Sequence, residues 1–124
     1  MTAISIDDAK KEMRRQAKAA RKEAFARLGA GASEAIARHG IAFAGRSAPA
    51  IVSGFLAIGD EIDPTPLIER LICEGYRICL PVMEGKGKPL VFRAWSPGDP
   101  LAETTWGIRE PLPEADVLDP DIVL

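Results

Sequence analysis

The run from Ile51 to Pro66, IVSGFLAIGDEIDPTP, constrains the architecture more than any other stretch, because an apolar strand stops abruptly at two acids and a helix begins at once. Ala50 to Ile58 is nearly continuous Val, Ile, Leu, Phe and Ala. That pattern suits a strand covered on both faces within a parallel sheet rather than one with a wet side. Gly59, Asp60 and Glu61 then put two carboxylates at the carboxyl end of the strand, the end where open α/β sheets leave a crevice for ligands. Asp63 or Thr65 is expected to cap the following helix, since a short side-chain oxygen accepts from free backbone N–H groups. Pro64 or Pro66 suits a first helical position. A site is therefore expected at this strand-to-helix turn.

Around it the sequence predicts alternating helices and strands. Ser5 with Asp8 forms a capping pair, and from Asp7 to about Leu28 there is no Pro or Gly while Ala, Lys, Arg, Glu and Met dominate; this predicts a helix. Gly29 and Gly31 are read as its stop signals, and Ser33 as the cap of a second helix, through Ile36 and Phe43, ending near Gly45. After the turn, Leu67, Ile68, Leu71 and Ile72 share one face of a short helix that Gly75 ends. Tyr76 to Val82 reads as a second buried strand, parallel to the first through a right-handed crossover. Leu90 to Trp95 reads as a third, less buried strand after Gly85–Lys88. The segment from Ser96 to Asp119 is rich in Pro and acids and is expected to be irregular after a turn at 96–100. Asp121 to Leu124 reads as the opening of another apolar strand.

The 124 residues are one domain's worth, and 47% hydrophobic with 27% charged residues is an ordinary globular composition. No apolar run reaches the roughly 18 residues of a membrane span, and the N-terminus has no signal-peptide pattern, so a cytoplasmic location is expected. Cys73 and Cys79 lack the close pairing or His partners of zinc sites and are expected to be buried, reduced thiols. His39, the only histidine, is expected to be structural or at the surface. Residues 1–49 carry ten Lys/Arg against five Asp/Glu, and residues 50–124 six against thirteen. Such asymmetry fits a basic nucleic-acid arm, or a basic helix packed beside an acidic body and sharing an anionic ligand with it. A nucleic-acid role is disfavoured, since no aromatic is interleaved with the basic run to stack bases. No nucleophile-plus-base pair and no metal-ligand cluster can be drawn.

Four tracts in order, AKKEMR at Ala9–Arg14, FLAIGDEID at Phe55–Asp63, LPV at Leu80–Val82 and WGIREP at Trp106–Pro111, resemble the 5-formyltetrahydrofolate cyclo-ligase (5,10-methenyltetrahydrofolate synthetase) family. The resemblance spans almost the whole chain. It implies a three-layer α/β/α fold with a mostly parallel sheet, related to the sugar-phosphate isomerase and CoA-transferase group. It implies an ATP- and magnesium-dependent ring closure: the formyl oxygen on N5 of 5-formyltetrahydrofolate takes the γ-phosphoryl group, N10 attacks the activated carbon, and loss of phosphate leaves 5,10-methenyltetrahydrofolate. Members continue into a glycine-rich loop that holds phosphates and folate. That loop is not in these residues, so 1–124 reads as a single domain lacking its C-terminal part and expected to be inactive alone, and a monomer. A non-catalytic folate- or nucleotide-binding or assembly fragment is the alternative.

The resemblance also implies site residues. Lys10 and Arg14, i and i+4 on the first helix, match the family's ATP-binding pair; on spacing alone Lys11, Arg15, Lys18 and Lys22 make an equally good basic stripe. Glu61 matches a glutamate that accepts from pterin N–H groups, whereas Asp60 and Asp63 have plain alternatives as turn or cap residues. Leu56 matches a position that touches folate, and is also an ordinary core residue of a strand. Trp106 either caps the core edge or offers a flat face to a pterin.

Overall fold

The computed structural model describes residues 5–104 and 107–124. It opens on helix α1 (Ile6–His39), whose N-terminus is capped as expected: Ser5 Oγ accepts from the Asp8 N–H at 3.1 Å. The two expected helices are one. Gly29 and Gly31 do not stop it, and Ser33, the expected cap of a second helix, is buried in its interior. A helix-interior glycine costs only about 0.5–1 kcal/mol against alanine. The last turns recover more than that, because Ala37 packs on the core and the Arg70 guanidinium binds the carbonyls of Ala37 and Arg38. The helix ends at Gly40, where φ is 65° and the N–H reaches Ile36 O. Residues 6–20, by contrast, are exposed throughout and form a projecting arm held by local helix propensity.

Strand β1 (Ile51–Ser53) is shorter than the expected 50–58. Gly54 still donates to Cys79 O, but the chain from Phe55 onward leaves the ladder. The apolar side chains that suggested more strand, Phe55 to Ile58, line a cavity instead. Helix α2 (Thr65–Cys73) carries Pro66 in its first turn and ends at Gly75, φ 95°, as the sequence predicts. Strand β2 (Arg77–Met83) runs parallel to β1, with Val52 beside Ile78 and Ser53 beside Cys79, and β3 (Leu90–Ala94) runs antiparallel to β2.

The segment expected to be irregular is not wholly so. Strands β4 (Leu101–Glu103) and β5 (Arg109–Pro111) form a small antiparallel ladder, tied to the main sheet by Glu110, whose buried carboxylate accepts from the Met83 N–H at 2.7 Å. Three-residue strands are too short to show a period, and Pro111 argues against one. Strand β6 (Ile122–Val123) pairs parallel with β1, completing the order β3-β2-β1-β6.

The fold is therefore mixed α/β with a mostly parallel sheet. Its core lies where α2 meets one sheet face: Leu67, Ile68 and Leu71 pack with Val52, Ile78, Leu80, Trp95 and Ile41. Gly54 allows the closest approach, since a Cβ there would lie 2.8 Å from Ile68 Cδ1. On the other face Cys79 is fully buried, while Cys73 is exposed, so the expectation of two buried thiols holds for one. Cys73 sits in the last turn of α2, beyond the buried stripe. Among the described residues no helix is long and apolar enough to cross a membrane.

Candidate functional site

The turn after β1 is built by its own acids. Gly59 takes φ 61°, open to glycine at little steric cost. Ile58 is then held at both ends by Glu61: its N–H donates to Glu61 Oε1 at 2.8 Å, and its carbonyl accepts from the Glu61 N–H at 3.2 Å. Asp63 Oδ1 accepts from the Thr65 N–H at 2.9 Å, satisfying a free donor at the start of α2. Asp60 reaches across to α1, where Arg21 Nε donates to its Oδ1 at 2.8 Å. All three acids that follow the strand thus have a structural partner. Glu61 spends one oxygen on the turn and keeps the other without a hydrogen bond among the described residues.

This turn opens on two adjoining cavities at the carboxyl ends of β1 and β2. One, of about 320 Å³, is lined by Phe25, Leu56, Glu61, Asp63, Thr65 and Arg109. The other, of about 330 Å³, takes in Phe55, Leu56, Leu80, Pro81, Ile108 and Arg109. Leu56 and Arg109 border both. The walls combine apolar surface, two carboxylates and one guanidinium, an arrangement that suits a flat, largely apolar ligand with N–H donors at one end and negative charge at the other.

Two of the expected site residues, Leu56 and Glu61, come together here. Lys10 and Arg14 do not line these cavities; they stand on the exposed arm, about 16 and 10 Å along the helix axis from Arg21 at 1.5 Å per residue. Of the neighbouring basic stripe only Arg15 differs from them, since Lys11, Lys18 and Lys22 also enter no ion pair among the described residues. Arg15 is engaged by Glu12, whose carboxyl it holds below the ordinary value, whereas Lys10 and Arg14 enter no ion pair among the described residues. Two uncommitted cations one turn apart fit a polyphosphate. Trp106 lies outside the described residues. Among those residues no three His, Cys, Asp or Glu side chains are grouped to hold a metal ion.

Sequence reasoning passed over Phe25 and Arg109. Phe25 is the only aromatic residue in α1, set in a run of Ala, Lys and Arg and followed four residues later by a glycine; that singularity was the available signal. Arg109 belongs to the WGIREP tract, but its place beside Glu61 follows from the Glu110 anchor on β2, a contact spanning 27 residues.

The sequence model of the 5-formyltetrahydrofolate cyclo-ligase family matches residues 6–122. No curated protein matches the chain in a sequence search.

Proposed function

The chain belongs to the 5-formyltetrahydrofolate cyclo-ligase family, and from that membership we propose that it acts, as a single domain, in the ATP-dependent closure of 5-formyltetrahydrofolate to 5,10-methenyltetrahydrofolate. The observation that carries this reading is the cavity shared by Leu56, Glu61 and Arg109. Glu61 accepts from the N–H groups of the pterin ring. Its carboxylate is oriented beforehand by the Ile58 N–H, which reduces the ordering cost of binding. Leu56 packs on the ring, and Arg109 faces negative charge on the substrate. The tract that carries Trp106 also sends Ile108 and Arg109 to the cavity walls, which supports Trp106 as a further substrate-binding residue.

Lys10 and Arg14 are the proposed ATP-binding pair, their charges directed at phosphoryl oxygens. ATP, when bound, supplies the phosphoryl group that activates the formyl oxygen. The residues of this chain contribute charge and position.

A second reading, folate binding without turnover, is favoured by one observation: the two cations stand on the exposed arm rather than in the cavity walls. Calorimetry with 5-formyltetrahydrofolate, together with near-ultraviolet detection of methenyltetrahydrofolate after adding ATP and magnesium, separates the two. Binding with product formation supports the first reading, binding without product the second, and absence of binding overturns both. Glu61→Gln is expected to weaken folate binding by about 1–3 kcal/mol, roughly 5- to 150-fold, by leaving a pterin donor poorly matched. A sharp fall in melting temperature with folate affinity intact would instead make Glu61 a residue of the turn alone.

A further inference from the structure

A helix that runs straight through two glycines invites the question of what each glycine permits. A Cβ built at Gly31 would meet nothing within 4 Å, so that position is free. A Cβ built at Gly29 would lie 2.9 Å from Cδ2 and 3.1 Å from Cε2 of Phe25. The Phe25 ring therefore lies down along the helix, one turn on, in the space that Gly29 leaves empty. Only a glycine admits it there without displacement.

The ring so seated is not part of the core. It is absent from the buried cluster and remains 42% exposed. Instead it lines three adjoining cavities, of about 210, 700 and 320 Å³, each bounded by the turn after β1. In the last of these it is the only residue from α1, and it shares that cavity with Leu56, Glu61, Thr65 and Arg109. One turn earlier on the same helix, Arg21 grips Asp60, the neighbour of Glu61. That ion pair fixes the helix, and the ring with it, against the turn.

We propose that Phe25, seated on Gly29, is the α1 wall of the ligand cavity and touches the planar ring of the substrate directly. The inference rests on the folate reading above and adds to it a substrate-contacting residue from the first helix. A flat aromatic face beside a carboxylate acceptor suits a heteroaromatic ring that carries N–H donors: the face packs on the ring while the carboxylate takes its edge. Arg21 acts through Asp60 as a positioning residue.

The test compares Phe25→Leu, Gly29→Ala and Gly31→Ala with the parent, measuring dissociation constants for 5-formyltetrahydrofolate and for ATP along with the melting temperature. Phe25→Leu keeps apolar bulk but loses the flat face, and is expected to weaken folate binding about tenfold while ATP binding stays the same. Gly29→Ala keeps the ring but removes its seat, so folate affinity falls several-fold even though alanine favours the helix and the melting temperature holds or rises. Gly31→Ala brings the same helical gain with no loss of folate affinity. A parent that binds folate alongside Phe25→Leu and Gly29→Ala variants that bind it equally well overturns the assignment of Phe25 alone. A parent that does not bind folate overturns the folate reading and this inference together.

Discussion

Cys79 and Cys73 show how far single positions diverge within one short unit of the chain. Burial beneath the sheet pushes the Cys79 thiol up from its ordinary value, despite the opposing hydrogen bond from Ser53, and its Sγ faces Val52 O at 3.7 Å. A native protein treated with a thiol reagent is expected to be modified quickly at Cys73 and to protect Cys79 until it unfolds. Because the folded state holds the Cys79 proton more tightly than the unfolded chain, its contribution to stability is complete below the unfolded thiol value of about 8.5 and falls as pH rises above it. Urea midpoints measured from pH 7.5 to 10 should therefore decline less steeply in Cys79→Ala than in the parent. Trp95 offers a second contrast. Its Nε1–H is buried without a hydrogen-bond partner among the described residues, so Trp95→Phe removes an unsatisfied donor along with some ring volume. The expected change is within about 1 kcal/mol, against about 3–5 kcal/mol for Trp95→Ala.

At the scale of elements, α1 is two things in one helix. Its second half is anchored through Arg70, which holds the last carbonyls of α1 while its Nε donates to Glu74 at 2.9 Å. Arg70→Met should lower stability by about 1–2 kcal/mol, since helix-terminal carbonyls lose a charged donor. Amide exchange should quicken over residues 33–40 more than over the arm, whose amides are already near the fraying limit. The first half is free to carry charge. If Lys10 and Arg14 bind phosphates, Lys10→Ala should weaken ATP binding by about 1 kcal/mol, close to fivefold, and leave folate affinity unchanged. Arg15→Ala, which removes a guanidinium already committed to Glu12, should change neither affinity. Equal ATP affinity in Lys10→Ala and parent would count against the pair.

At the scale of the whole molecule, the sheet is joined across long stretches of sequence by a few polar side chains. Asp121 accepts from the Ile51 N–H at 2.9 Å and from Arg46 at 2.8 Å, so one carboxylate sets the register of β6 on β1. Arg93 holds the carbonyls of Pro113 and Ala115 beside β3, and Glu110 docks the β4–β5 ladder onto β2. Asp121→Ala is expected to cost about 1–3 kcal/mol and to expose the Ile51 amide to exchange. Glu110→Ala should cost a similar amount by orphaning the Met83 N–H, and it should also weaken folate binding, because Arg109 is placed by the strand that Glu110 anchors. Glu110→Gln, which keeps an acceptor, should recover most of both.

Elements whose signals are local were legible in the sequence. The cap at Ser5, the α2 stripe with Gly75 beyond it, the apolar strand at Arg77–Met83 and the acid turn after β1 each depend on residues within a few positions of one another, where sterics and hydrogen bonding act directly. From these the mixed α/β fold and the position of Leu56 and Glu61 at a strand's carboxyl end could be read. Tertiary structure decided what local propensity leaves nearly balanced. Whether Gly29 stops a helix or seats a ring turns on less than about 1 kcal/mol of backbone preference, and contacts made by Ala37, Arg70 and Phe25 outweigh it. Whether Phe55 to Ile58 continue a strand or wall a cavity depends on β4 and β5, more than 40 residues away. Arg109 enters the site by that same route, through a carboxylate whose partner lies on another strand.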